Sequence, residues 1–292
     1  MLAAALFAAG MGLWAGRYLP AAQERPGVTP AAGQATPRMA PGEGPLRPRN
    51  DTSRLGPSPG ASGRALQPAA GAAQARVAII FDDAGATLAQ LDPILALGRP
   101  VTIAVLPGLP ASQAVAARAA AAGLQVLLHL PLEAEETGRA LGPGGITTDM
   151  ETEAIKTQVR AALDGIPGAA GVSGHMGSRA TADRRVMAAV LAVVRERGLF
   201  FVDSRTTTRS VVLDVARELG VPAAARVVFL DNEDDPAYIA GQLRQLITLA
   251  KMRGEAIGIG HVQKVTADVL RALLPEFERA GIVLVPVSSL VR

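Results

Sequence analysis

Asp82 and Asp83 stand side by side at the end of a short apolar run, Val77-Ala-Ile-Ile-Phe81. Two neighbouring carboxylates repel, so such a pair calls for a cation or a shared proton. The chain has three histidines, His129, His175 and His261, and no cysteine. Any metal must therefore be held by His, Asp or Glu, because thiolate sites are excluded along with disulfides. Two imidazoles and one carboxylate make a three-ligand site for a divalent ion, with an open position for water. The expected ligands are Asp83, His129 and His175. Asp82, next to a ligand, is then placed to accept a proton as general base. His261, which comes late in the chain, is the candidate general acid for a leaving amine. Asp203 is a candidate to orient an imidazole, with capping of the following helix as the alternative. For the aspartate pair, the alternative is one helix cap and one solvated side chain.

Positioning such a set falls to the strands. From Arg76 onward, apolar strand-like runs alternate with Ala/Leu-rich helical stretches. The predicted strands are 77–81, 101–106, 125–128, 170–173, 199–202, 227–230, 256–259 and 282–287. The predicted helices cover 88–97, 112–122, 151–163, 183–197, 211–219, 236–253 and 266–280. Glycine follows most of the helices, as expected of C-caps. Alternating strands and helices imply right-handed βαβ units and a parallel sheet. Seven or eight such units in residues 76–292 suit a distorted seven- to eight-stranded (β/α) barrel, with an open doubly wound sheet as runner-up. No G-x-G-x-x-G follows the first strand, so a dinucleotide site has no support. In parallel α/β folds, ligands bind at the carboxyl ends of the strands. All three histidines fall just beyond a predicted strand, together with Asp82, Asp83, Asp203 and Asp231.

The amino-terminal quarter reads differently. Residues 1–19 are apolar apart from Arg17, and suit a signal peptide or signal anchor. Residues 20–75 hold ten of the 21 prolines and no aromatic residue. They cannot bury enough apolar surface to offset chain entropy, so a disordered tether is expected. Six Arg against two Glu and one Asp give this stretch +3, and Arg17 makes it +4. The whole chain is +3, which leaves residues 76–292 at −1. The basic character thus belongs to the tether, which argues against a nucleic-acid-binding domain. The expected location is the periplasm or the inner membrane facing it, with membrane contact through the first segment if it is not cleaved.

Several loop residues are candidate substrate contacts. Glu133 lies four residues after His129 and would join the metal shell or bind substrate, or else be a solvated loop acid. Gly174-His-Met-Gly-Ser-Arg179 brackets His175 with glycines, which would let a metal or substrate approach the backbone. Ser178 and Arg179 follow, and Arg205 lies in the polar run Asp203-Ser-Arg-Thr-Thr-Thr208. The acidic run Asp231-Asn-Glu-Asp-Asp235 reads best as charge at a helix amino end.

Phe81-Asp-Asp83, His129-Leu-Pro-Leu-Glu133, Gly174-His-Met-Gly-Ser178, Phe201-Val-Asp-Ser-Arg-Thr206 and Gly260-His261 together resemble the divergent polysaccharide deacetylase family. The likeness covers residues 76–292. It implies a distorted (β/α) barrel of about seven strands and zinc-dependent hydrolysis of an N-acetyl group on an envelope glycan. Asp82 resembles the family base, Asp83 the metal-binding aspartate and His261 the late histidine that acts as acid. The metal-dependent polysaccharide deacetylases to which that family is distantly related carry both metal histidines in one H-x-x-x-H motif. Here Glu133 stands at the second position, and His175 comes from another strand. Their aspartate–tryptophan motif is absent too, since the only tryptophan is Trp14. A non-catalytic domain that binds glycan or an envelope protein is the alternative.

Overall fold

The computed structural model describes residues 74–292 apart from Thr137 and Arg139. The expected signal segment and nearly all of the expected tether lie outside the described residues. Strand β1 already begins at Ala75, one residue inside the stretch assigned to the tether. Among the described residues, no helix is long and apolar enough to cross a membrane.

The elements are β1 (Ala75–Ala84), α1 (Asp92–Leu95), β2 (Thr102–Val105), α2 (Ser112–Ala121), β3 (Gln125–Leu132), α3 (Thr152–Asp164), β4 (Gly171–Met176), α4 (Arg184–Glu196), β5 (Phe200–Asp203), α5 (Val212–Leu219), β6 (Ala223–Ala225), β7 (Val228–Phe229), α6 (Pro236–Arg253), β8 (Glu255–His261), α7 (Lys264–Arg279) and β9 (Ile282–Leu284). Every strand pair is parallel, in the order β6-β5-β4-β3-β2-β1-β8-β7. β1 is central and long enough to serve three neighbours. β8 pairs with residues 76–82 along one edge, while β9 and β2 pair with residues 75–77 and 80–84.

The two ends of the sheet meet through one segment. Residues 223–225 pair with β5, and Arg226 N–H still donates to Asp203 O. One residue later Val227 N–H donates to Ile257 O, and 228–229 pair with β8. The expected distorted barrel is therefore present, closed by a short two-part stave. The sequence did not announce β6, because Ala-Ala-Ala lacks the β-branched and aromatic residues that mark strands. Two other expectations need correction. Residues 88–97 form a 3₁₀ turn and the four-residue α1, and the last predicted strand stops at Leu284 and gives way to a 3₁₀ turn over 287–290.

Alternation along the strands divides the core in two. On β1, Val77, Ile79 and Phe81 pack outward against the helices, while Ala78 and Ile80 join an inner cluster with Ala104, Leu127, Phe200, Val202, Ile257 and Ile259. Val287 and Leu290 of the terminal turn belong to that inner cluster and stop the lower end of the barrel. Fully burying a side chain of this size contributes about 1.5–3 kcal/mol, so the floor of the barrel is firmly held. Helix ends follow their caps. Asp183 accepts from Arg185 N and Val186 N at the start of α4, and Asp235 accepts from Tyr238 N at the start of α6. Gly220 and Gly254 end α5 and α6 in the left-handed conformation that glycine adopts without penalty.

Candidate metal centre

Residues two apart on a strand share a face. Asp82 therefore continues the inward row of Ala78 and Ile80, His129 follows Leu127, and His261 follows Ile257 and Ile259. His175 lies two residues beyond the buried Ser173 on β4. The strands run further than expected, so these side chains sit within the carboxyl-terminal halves of the strands rather than beyond them. By the same alternation Asp83 would face the helices. Instead its backbone turns left-handed, with φ 65°, and the register with β2 shifts between Phe81 and Ala84. Aspartate is one of the few residues that tolerates this conformation. The bend brings both carboxylates to one side.

The three expected ligands converge. Asp83 Oδ1 lies 3.1 Å from His129 Nε2 and 2.8 Å from His175 Nδ1. All three donor atoms fall within 4.8 Å of one another. Despite those short distances, Asp83 Oδ1 is buried without a hydrogen-bond partner, and so is Asp82 Oδ1. The imidazole nitrogens are close but not aimed to donate a hydrogen to it. Electron-rich atoms that face one another in this way are suited to a shared cation. Ligands about 2.0–2.2 Å from a tetrahedral zinc ion lie about 3.3 Å apart, and both contacts of Asp83 Oδ1 come within about half an ångström of that. The residues fit a divalent metal. A hydrogen bond of 2.9 Å between His129 Nδ1 and Ser173 Oγ fixes that ring and leaves Nε2 turned to the site.

Asp82 and His261 flank this set. Asp82 Oδ2 is 3.6 Å from His129 Nε2, and His261 Nε2 is 3.8 Å from Asp83 Oδ2. Burial pushes the Asp82 carboxyl up to about 6, and the neighbouring Asp83 charge adds to this against the opposing pull of His129. Burial also acts to raise Asp83, but the His129 and His175 contacts outweigh it and hold the group well below the usual carboxylate range. Burial opposes charge on His129, yet the Asp82 and Asp83 carboxylates raise its pKa. At His261 burial is again opposed and overcome, here by the Asp231 carboxylate, and the imidazole rises to about 9.

Asp231, which the sequence places just beyond a strand but reads as helix-end charge, is bound to His261 instead. It is buried, and its Oδ1 lies 3.0 Å from His261 Nδ1. Its Oδ2 accepts from His261 N at 2.7 Å and from Thr266 Oγ1 at 2.6 Å. Only Asp235, at the far end of the same acidic run, caps the helix. The available signal was Gly260. A Cβ there would meet Asp231 Oδ2 at 3.1 Å, so the glycine makes room for the carboxylate. Phe229 closes the other side of His261, edge to face at 5.3 Å between ring centroids, and was also missed.

Asp203, expected to orient an imidazole, does not. It follows Phe201 on the outward row of β5, and its oxygens accept from Arg205 N and Ser210 Oγ, both at 2.8 Å. It shapes its own loop, although α5 starts too late for it to be the N-cap. Glu133 does not join the metal shell and is not a solvated acid either. Its carboxylate accepts from Thr148 N at 2.5 Å and pairs with Arg179 at 3.2 Å. Its carbonyl accepts from Arg179 N and Ala180 N, so it clasps the loops that follow β3 and β4. Ser178 Oγ accepts from Glu135 N in the same seam. Arg205 holds a left-handed backbone at φ 51°, with its guanidinium 4.0 Å from Asp203. The glycines around His175 lie against Leu132. A Cβ on Gly174 or Gly177 would meet Leu132 at 3.1 Å, so packing accounts for both.

Comparison with known proteins gives the family and the fold. The chain is 34% identical over 200 residues to a protein of Haemophilus influenzae, covering 68% of this chain and 71% of that one. It is 32% identical over 216 residues to the YibQ protein of Escherichia coli K12, covering 74% of this chain and 67% of the relative. Its fold is similar to the crystal structure of ATU2773 from Agrobacterium tumefaciens, with a TM-score of 0.70 at 25% identity, covering 77% of this chain and 92% of that one. Residues 79–291, nearly the whole barrel with its Asp-His-His cluster, match the description "divergent polysaccharide deacetylase", and the chain belongs to that family.

Proposed function

We propose that the chain is a metal-dependent hydrolase that removes N-acetyl groups from an envelope polysaccharide, with zinc as the cation. The observation that carries this reading is the convergence of Asp83, His129 and His175 beside two buried carboxylate oxygens that lack partners. Asp83, His129 and His175 would hold the ion. When bound, it polarises an acyl carbonyl and makes a water more acidic.

The chain's own groups divide the proton transfers. Asp82 Oδ1 has no donor, and a carboxyl near 6 is mostly ionised at neutral pH, so it accepts the proton of the attacking water. His261, near 9, is protonated at neutral pH, and its Nε2 faces the cluster. It donates to the leaving amine nitrogen while Asp231 stabilises the ring through Nδ1. One group pushed up from the acid side and another held up from the basic side suit a base and an acid that act together. The apolar segment 1–19 and the basic stretch after it support placement in the periplasm or at the inner membrane, close to such a glycan.

The test is acetate release from N-acetylglucosamine polymers by the zinc-loaded full chain. Release that is lost in Asp82→Asn and His175→Ala supports the reading. A metal-loaded protein that frees no acetate from any N-acetylated glycan overturns it.

A further inference from the structure

One residue of the closing stave reaches both the loop after β5 and the ring beside His261. Arg226, between β6 and β7, donates to three successive carbonyls. Its N–H bonds to Asp203 O at 3.0 Å, its Nε to Ser204 O at 2.6 Å and its Nη2 to Arg205 O at 2.9 Å. Among the described residues, the hydrogen bonds of this guanidinium go to carbonyls and none to a carboxylate. The side chain is half-buried, and burial holds its pKa below the usual arginine value against the pull of Asp203 and Asp82. A charge kept from water without an ion pair is costly. An apolar side chain would close the wall at less cost, so the charge and shape of Arg226 point to a further task.

The same guanidinium lies over the Phe229 ring, 4.9 Å from its centroid. That is within the range of a cation–π contact. Phe229 in turn meets His261 edge to face at 5.3 Å. Its backbone belongs to a two-residue strand with two register pairs, so the direction of its ring depends on what it packs against. His261 keeps 31% of its side chain exposed, and Asp231 holds only Nδ1. One hydrogen bond at that nitrogen does not fix the plane of the imidazole, whereas the Phe229 ring beside it does. A planar guanidinium gripped at two donors is a rigid shelf, where a lysine ammonium would be a mobile point charge.

We propose that Arg226 is a positioning residue for His261, acting through Phe229: it carries the fixed geometry of the loop after β5 to the ring that faces the Asp-His-His cluster. The inference rests on the reading of His261 as the acid, but its main test does not use acetate. The experiment is NMR of the imidazole protons in the full chain as purified, at pH 7, in the wild type, Arg226→Ala, Arg226→Lys, Phe229→Leu and the double variant Arg226→Lys/Phe229→Leu. Both Arg226 variants shift the His261 signals and leave those of His129 and His175 in place. Arg226→Lys keeps the charge and the wall, so it reports on the grip even if the alanine variant folds poorly. Once Phe229 is leucine, Arg226→Lys moves His261 no further. In acetate release, Arg226→Lys lowers kcat about tenfold with KM unchanged, a part of the roughly 10²–10⁴-fold that a positioned acid supplies. Unmoved His261 signals in Arg226→Lys, equal shifts of all three histidines, or a shift that persists in the Phe229→Leu background would each overturn the inference. Coupling of Arg226 to His261 without acetate release in the wild type would sink the hydrolase reading and leave the relay standing.

Discussion

Replacing Asp231 with asparagine isolates the role of the pair it forms with His261. The carboxylate holds three hydrogens at once, those of His261 N, Thr266 Oγ1 and His261 Nδ1, at 2.7, 2.6 and 3.0 Å. An asparagine oxygen can keep the first two, but its NH₂ then points at Nδ1. The ring must turn that nitrogen into an acceptor, so the imidazolium loses its partner. A hydrogen bond to a charged group contributes about 1.5–3 kcal/mol and a neutral one about 1 kcal/mol. The difference, about 1–2 kcal/mol, corresponds to about one pKa unit. His261 should fall from about 9 to about 8 or lower. The assay is an NMR titration of the imidazole in metal-free protein. The stability of that protein carries the same signature. His261 is raised in the fold, so its contribution is complete below the ordinary value of 6.5 and is lost as pH rises through about 9. Urea melts of the wild type should therefore lose stability between pH 6.5 and 9.5, and the variant should lose less. An unchanged His261 titration in Asp231→Asn would refute the claim that this carboxylate holds the ring charged.

The metal set predicts about one divalent ion per chain and a higher melting temperature with zinc than with chelator; His175→Ala should abolish both, as read by elemental analysis and thermal shift. Ser173→Ala removes the bond that fixes His129, and should weaken metal binding about 10–100-fold in a competition titration while costing the fold only about 1 kcal/mol. Gly260→Ala presses a methyl group against Asp231 and Thr266, and should destabilise the protein by about 1–3 kcal/mol in chemical denaturation and lower the His261 pKa at the same time. Glu133→Gln should leave metal stoichiometry intact, because Glu133 ties loops and not the ion, and should speed amide exchange at Thr148 and Arg179.

Much of the site could be read from alternation alone. His129 lies two residues after Leu127, His261 two after Ile259 and Asp82 two after Ile80, so each inherits an inward direction from an apolar neighbour. The same rule, carried one strand further, would have separated Asp203 from the site, since Phe201 before it faces the helices. What strand periodicity does not convey is a local break in it. The left-handed turn at Asp83 has no signature beyond the residue type, and it is what admits that carboxylate to the cluster. Asp231 was hidden for another reason. Its acidic neighbours look like helix-end charge, and its partner is 30 residues away on the next strand. The β6 stave was illegible because three alanines favour a helix as readily as a strand.

The short stave between β5 and β8 gives the ring a seam. Two register pairs join β7 to β8, against seven between β1 and β8, so the wall has one thin joint while the histidine-bearing strands are stitched along their length. Breathing of the mouth should concentrate there, with amides of 227–230 exchanging faster than those of 77–81. The joint carries Phe229 and leads straight into Asp231, so its movement would reach the partners of His261 while Asp83, His129 and His175 kept their mutual spacing.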